Sequence, residues 1–154
     1  MVASTTRVPL EELAQALFDV ITRFCLASPR GRRRHGGLKE LEFLTLAILH
    51  QHDTLIVGDI QRQLGVLPAQ MSRIIRALET RERPLIACRI NPRDKRKIDV
   101  ALTPAGTKAF LEYQSVRVHG ILALLARLPD DDLEGLHRLL EKLGDLIDSG
   151  PQSP

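Results

Sequence analysis

Two short β-prone runs, Leu85–Ile90 and Ile98–Leu102, flank the turn-forming stretch Asn91-Pro92-Arg93-Asp94-Lys95-Arg96-Lys97. Two strands around a charged tip predict a hairpin. Everywhere else the apolar residues recur at helical spacing, so this hairpin is inserted into a helical chain. Its place in the order limits the possible folds. Before it, Leu38 to Gln51 predicts a helix with Leu41, Leu44, Ala47 and Ile48 on one face. Val57, Ile60 and Leu64 predict a short helix that Gly65 stops in the left-handed conformation. Pro68, well placed at a first helical position, opens a helix that ends near Thr80, before Pro84. Three short helices and then a two-stranded hairpin is the winged helix-turn-helix layout.

Helices flank this head on both sides. Leu10, Leu13, Ala14, Leu17, Ile21 and Phe24 predict an amphipathic helix over 9–26. Thr103-Pro104, an N-cap followed by a first-turn proline, starts a long helix running to about Leu128. Pro129 and the aspartates Asp130–Asp132 start a last helix, their charges favouring its positive N-terminal end. Ser28–Gly37, with its glycines, Pro29 and Arg30, Arg32, Arg33 and Arg34, reads as an exposed loop, and Ser149–Pro154 as a frayed polar tail. The expected fold is mainly α with a small two- or three-stranded β-wing: one domain over 1–154, a winged helix-turn-helix head at 38–102, and dimerisation helices at 9–26 and 103–148.

At 154 residues the chain can bury a good-sized core, and with aromatics at 3% that core is built from Leu, Ile, Val and Ala. No apolar run reaches the roughly 18–20 residues of a membrane span. Met1 to Pro9 lacks a signal pattern, and Cys25 and Cys88 give no disulfide framework. A cytoplasmic protein is expected. The net charge is only +3, but its distribution is uneven. Leu55 to Leu102 holds ten basic and five acidic residues, whereas Thr103 to Pro154 holds five basic and eight acidic. A basic middle points to a polyanionic partner there. On charge alone a solvated surface explains it as well.

The helix opened by Pro68 sharpens the reading. At 100° per residue Met71, Ile74, Ile75 and Leu78 fall on one face, the core face. Ala69, Arg73, Arg76 and Thr80 fall on the opposite face, with Gln70 and Ser72 on its flanks. An apolar back and an Arg/Gln/Ser front suit a helix docked in a major groove, where arginine can pair with guanine and glutamine with adenine. Serine hydroxyls suit phosphates. A plain surface helix would look much the same. At the hairpin tip Arg93, Lys95, Arg96 and Lys97 place four cations within five positions, with Asp94 among them. Such a cluster is solvated or meets an anion, and a narrow minor groove attracts an inserted arginine. A solvated turn is common too, but it leaves unexplained why basic helix and basic turn occur in this order.

Val57-Gly58-Asp59-Ile60, Leu64-Gly65-Val66, Pro68 through Met71-Ser72-Arg73-Ile74-Ile75 to Leu78-Glu79, Asn91-Pro92-Arg93-Asp94-Lys95-Arg96 and Val100-Ala101-Leu102-Thr103-Pro104-Ala105-Gly106 together resemble the MarR family of winged helix-turn-helix transcription regulators. The resemblance covers Leu38 to Phe110, and the wing followed by Leu-Thr-Pro-Ala-Gly is its most specific part. It implies a bacterial, nucleoid-associated DNA-binding regulator, a repressor, acting as a homodimer on a palindromic operator. It also implies that a small-molecule effector can release the DNA. By the same resemblance Arg96 is the wing arginine that enters the minor groove, and Asp94 braces the wing through an arginine. Ser72 and Arg73 match positions that touch phosphate or bases, whereas Arg76 stands where the family often has an acid or a small polar residue and is expected to add a phosphate contact. The expected DNA-binding set is Gln70, Ser72, Arg73, Arg76, Arg93, Lys95 and Arg96. Three positions depart from the family pattern. Leu67 stands where a Ser N-cap is usual, Ile56 where a Thr cap is usual, and Arg81-Glu82-Arg83-Pro84 replaces a short glycine turn. A lost cap costs about 1 kcal/mol.

In the last helix Leu133, Leu136, Leu140, Leu143 and Ile147 form a heptad-like stripe, and the first helix has a comparable one. A homodimer would cover both and match a two-fold operator, and an intramolecular bundle is the alternative. No effector is named by these residues. Of the histidines, His35, His50, His52, His119 and His137, the close pair His50 and His52 lies on different helix faces without an accompanying Cys or acid cluster, so no metal and no cofactor is expected. Cys25 reads as a buried, inert thiol beside Phe24, and Cys88 as structural; the resemblance offers the alternative that a cysteine in the first helix senses oxidants, as in some members of the family. No nucleophile–base pair or phosphate loop stands out, so no enzyme is expected. The rival reading from another class is a winged-helix module that binds a protein partner without specific DNA readout.

Overall fold

The computed structural model describes residues 8–27 and 37–150. The expected loop at Ser28–Gly37, apart from Gly37, and most of the expected tail lie outside the described residues. The elements are α1 (Leu10–Ala27), α2 (Glu40–His50), β1 (Leu55–Ile56), α3 (Val57–Leu64), α4 (Pro68–Glu79), β2 (Ile86–Ile90), β3 (Ile98–Leu102), α5 (Pro104–Leu125) and α6 (Asp130–Asp148). The expected helices and hairpin are all present. The chain divides into two compact units between Gln114 and Ser115, within α5.

In the first unit the core is formed by Leu46 and Leu49 of α2, Ile60 of α3, Met71, Ile74 and Leu78 of α4, Leu85, Ile86 of β2, Val100 of β3 and Phe110 of α5. Each such side chain contributes roughly 1.5–3 kcal/mol by leaving water. The apolar face read for α4 is the buried one, with Ile75 at its half-buried margin. For α2 the reading needs correction. Leu44 is 39% exposed, and the buried face is Glu42, Thr45, Leu46 and Leu49. Apolar residues surround α2, so spacing alone does not select its inner face. Thr45 satisfies its hydroxyl on the Leu41 carbonyl at 2.7 Å, which lets a polar residue face inward.

The hairpin forms part of a three-stranded sheet with order β1-β3-β2, all antiparallel. β2 and β3 pair from Ile86 opposite Leu102 to Ile90 opposite Ile98, and β1 adds Leu55 opposite Val100. Two residues are too few for a sequence pattern, and β1 exists only because β3 offers a free edge. Gly65 ends α3 at φ 64° and ψ 31°, and its N–H donates to the Arg62 carbonyl at 3.2 Å. Ile56 and Leu67, at the N-caps of α3 and α4, make no side-chain cap.

The start of α5 is fastened to the root of the hairpin. The Thr103 hydroxyl accepts the Gly106 N–H at 3.0 Å and donates to the Pro84 carbonyl at 2.6 Å. The Thr103 N–H donates to the Leu85 carbonyl at 3.1 Å. Gly106 packs so closely on that carbonyl that a Cβ would lie 1.9 Å from its oxygen.

α1 buries no residue, and Leu10, Leu13, Leu17, Phe18 and Ile21 are exposed. In the second unit α6 also buries none: Leu140, Leu143 and Ile147 of its stripe are exposed, and Leu133 and Leu136 are half-buried.

Candidate nucleic-acid interface

Gln70, Ser72, Arg73 and Arg76 are all exposed on α4, opposite the buried Met71, Ile74 and Leu78. Among the described residues neither Arg73 nor Arg76 has an acidic partner. The Ser72 hydroxyl instead donates to the Pro68 carbonyl at 3.1 Å. In that rotamer its oxygen can only accept, so donation to a phosphate requires the side chain to turn away from its own helix. Thr80 is held the same way on the Arg76 carbonyl, at 2.7 Å.

The tip between β2 and β3 is built around Asn91. Its Oδ1 accepts the N–H groups of Arg93 at 2.9 Å and Asp94 at 3.0 Å, its Nδ2 donates to Asp99 Oδ1 at 2.8 Å, and its own N–H donates to the Lys97 carbonyl at 2.9 Å. Asparagine suits this place because its short amide mimics a backbone turn. Asp94 then orders the far side. Its Oδ1 accepts the Arg96 N–H at 3.1 Å and Arg96 Nε at 3.2 Å, and Lys97 Nζ lies 3.8 Å from Oδ2. The Arg96 N–H, then the Arg96 side chain and the Lys97 charge, hold the Asp94 carboxyl below the usual carboxylate range. Arg93, Lys95 and Arg96 are exposed, Arg96 at 91%. The tip thus presents cations on a backbone that its own side chains hold in shape.

Sequence reasoning missed two residues of this unit. One is Asn91, whose signal was the Asn-Pro start of a charged turn. The other is Arg81, in the lengthened turn after α4. Arg81 Nη2 donates to Glu42 Oε2 at 2.9 Å and to the Gly37 carbonyl at 3.3 Å, while Glu42 also accepts the Lys39 N–H at 3.1 Å. The Glu42 side chain is 6% exposed and that of Arg81 27%. One guanidinium therefore ties the end of α4 to the start of α2, across 39 residues of chain. Charge spacing within a helix cannot reveal such a pair. Arg62 is likewise paired with Asp59 on α3, so part of the positive charge of the middle segment is neutralised away from the α4 front and the tip.

The two thiols correct one expectation. Cys25 is exposed, not buried, because α1 buries nothing in this chain. Cys88 is half-buried, and burial, aided by the charge of Glu79 and a hydrogen bond to it, pushes its pKa up to about 11. His50 stacks obliquely on Phe110 with centroids 4.5 Å apart. Among the described residues no group of three or more His, Cys, Asp or Glu could hold a metal ion, and no helix is long and apolar enough to cross a membrane.

The comparisons with known proteins converge on this architecture. The sequence model of the MarR family matches residues 38–98. The HTH-type transcriptional repressor MdtR of Bacillus subtilis (strain 168) is 29% identical over 129 residues, covering 84% of this chain and 79% of MdtR. RV1404 from Mycobacterium tuberculosis superposes with a TM-score of 0.73 at 21% identity, covering 97% of this chain and 99% of that one. A MepR variant of S. aureus, solved bound to an oligodeoxyribonucleotide, superposes with a TM-score of 0.60 at 23% identity, covering 87% and 97%. With its three short helices, its braced three-stranded wing and its Leu-Thr-Pro-Ala-Gly junction, the chain has the fold of these structures, and its residues 38–98 match the MarR family.

Proposed function

We propose that this protein is a sequence-specific transcriptional repressor that binds double-stranded DNA as a homodimer on a palindromic operator and is released by a small-molecule effector. One observation carries the reading. An exposed Gln70/Arg73/Arg76 front on α4, with an apolar back fixed in the core, belongs to the same unit as a self-braced tip displaying Arg93, Lys95 and Arg96. In the proposed division of labour, 38–102 reads DNA and the helices at 9–26 and 103–148 pair the subunits. Arg73 and Gln70 address base edges in the major groove, Ser72 and Arg76 address phosphate, and Arg96 enters the minor groove. Arg93 and Lys95 add charge to the backbone contact, and Asp94 positions Arg96. MdtR is a repressor and MepR has been seen with DNA, which supports the direction of the reading. Regulators of the MarR family are in general not enzymes, in keeping with a binding role for this protein. Its place of action is the bacterial cytoplasm, at the chromosome.

A salt titration of binding to operator and scrambled duplexes tests this. Arg96→Ala should weaken both and make the salt slope shallower by about one unit. Arg73→Ala should weaken operator binding roughly ten- to hundred-fold and scrambled binding little if it meets a base. Unchanged operator affinity in both folded variants refutes the DNA reading and puts a protein-binding module in its place.

A further inference from the structure

The leading end of α4 has an unusual make-up. Leu67 is its N-cap residue, at φ −71° and ψ 153°, with no side-chain cap. It is 74% exposed. In the run Leu64-Gly65-Val66-Leu67, Leu64 and Val66 pack against the core and Leu67 does not. Pro68 and Ala69 follow, both exposed, so the first side chain on this helix able to hydrogen-bond is that of Gln70. Ser, Thr, Asp or Asn is preferred at such a position because its oxygen satisfies a first-turn N–H. A leucine gives up that bond, and its exposed side chain gains little from burial in return. An exposed leucine alone needs no explanation. One that replaces a cap at the tip of the helix proposed to enter a groove has a defined chemical partner.

The floor of the major groove offers few apolar groups, and the pyrimidine C5-methyl of thymine is the one that distinguishes a base pair. Residues at the N-terminal end of a recognition helix are those that meet base edges. Leucine can accept neither a phosphate contact nor a base hydrogen bond, so its favourable contact there is with that methyl. Pro68 disfavours the helical conformation for the preceding residue, which holds Leu67 extended before any DNA arrives. Little backbone order is then lost on binding. We infer that Leu67 is a specificity-determining residue that reads a thymine methyl once in each half-site, ahead of the polar readout by Gln70 and Arg73. The inference rests on the proposed docking of α4 in the major groove.

The test uses the full-length protein and an operator selected from random duplexes. Each thymine is replaced singly by deoxyuridine, which removes only the methyl. Affinities are measured for the wild type, Leu67→Ala and Leu67→Ser. In the wild type one position per half-site should lose about four-fold in affinity, the value of one buried methyl. Both variants should be indifferent to uridine at that position. Leu67→Ser should also melt about 2–4 °C higher through the restored cap, so that stability and specificity move in opposite directions. A wild type indifferent to uridine at every position overturns the inference, as does a four-fold penalty that persists in both variants. If Arg73→Ala and Arg96→Ala bind like the wild type, the docking of α4 itself fails. If those two lose affinity while the uridine scan is flat, Leu67 alone fails.

Discussion

Replacing Gly106 by alanine sets two effects of opposite sign against each other. Gly106 lies in the first turn of α5, where alanine ordinarily gains about 0.5–1 kcal/mol over glycine through lower backbone entropy in the unfolded chain. The structure places the new Cβ 1.9 Å from the Leu85 carbonyl oxygen and 3.2 Å from Leu102 Cδ2. Ordinary contact begins at 3.4 Å, so helix and hairpin root must separate by about 1.5 Å. That movement breaks or stretches the 3.1 Å bond from the Thr103 N–H to the same carbonyl, worth about 0.5–1.5 kcal/mol. It also disturbs Leu85 and Ile86, both buried in the core, at the roughly 1–3 kcal/mol typical of overpacking. The clash prevails, and the expected net loss is about 2–3 kcal/mol. Urea denaturation with an unchanged slope, read beside a fall in melting temperature of about 5–10 °C, measures it. Gly58→Ala is the control: it is also a first-turn glycine, but nothing lies within 4 Å of its Cβ, so it should be neutral or stabilising. A Gly106→Ala protein as stable as the wild type would refute the close approach of α5 to the hairpin root.

Arg81→Met should cost about 3 kcal/mol in urea unfolding, because among the described residues it leaves the buried Glu42 carboxylate with only the Lys39 N–H, and adding Glu42→Gln should recover part of the loss. Asp94 has its pKa lowered in the folded protein, so its bracing is fully present above the ordinary value near pH 4 and is lost as pH falls through the depressed one. The amide resonances of Arg96 and Lys97 should therefore titrate below about pH 4, and Asp94→Asn should remove that transition. Leu140→Asp should yield monomer or aggregate by sedimentation, where the wild type sediments as a dimer; a monomeric wild type at micromolar concentration counts against the proposed assembly. At pH 8 a thiol reagent should modify Cys88 far more slowly in the folded protein than in the urea-unfolded chain, since folded Cys88 carries almost no thiolate well below pH 11. Equal rates would contradict the burial of Cys88 against Glu79.

By itself the sequence determined the elements whose causes are local. Pro68 and Pro104 open helices, Gly65 closes one at positive φ, Thr103 caps α5, and the Met71–Leu78 spacing selects the inner face of α4. The surface composition of the candidate interface was legible for the same reason, since a face opposite an apolar stripe is exposed wherever that stripe is buried. What tertiary structure alone decided depends on groups distant in the chain. Spacing could not choose the inner face of α2, because a helix apolar nearly all round turns inward whatever its neighbours accept, and here they accept Glu42 through Arg81. β1 is only Leu55–Ile56 and owes its existence to the edge of β3. Cys25 shares its helix with leucines at regular spacing, yet periodicity says only that a face is apolar, and burial requires something to cover it. Gly106 looked like one more residue of a helix start. Its lack of a side chain matters because the Leu85 carbonyl, 21 positions earlier, occupies the space where a Cβ would be.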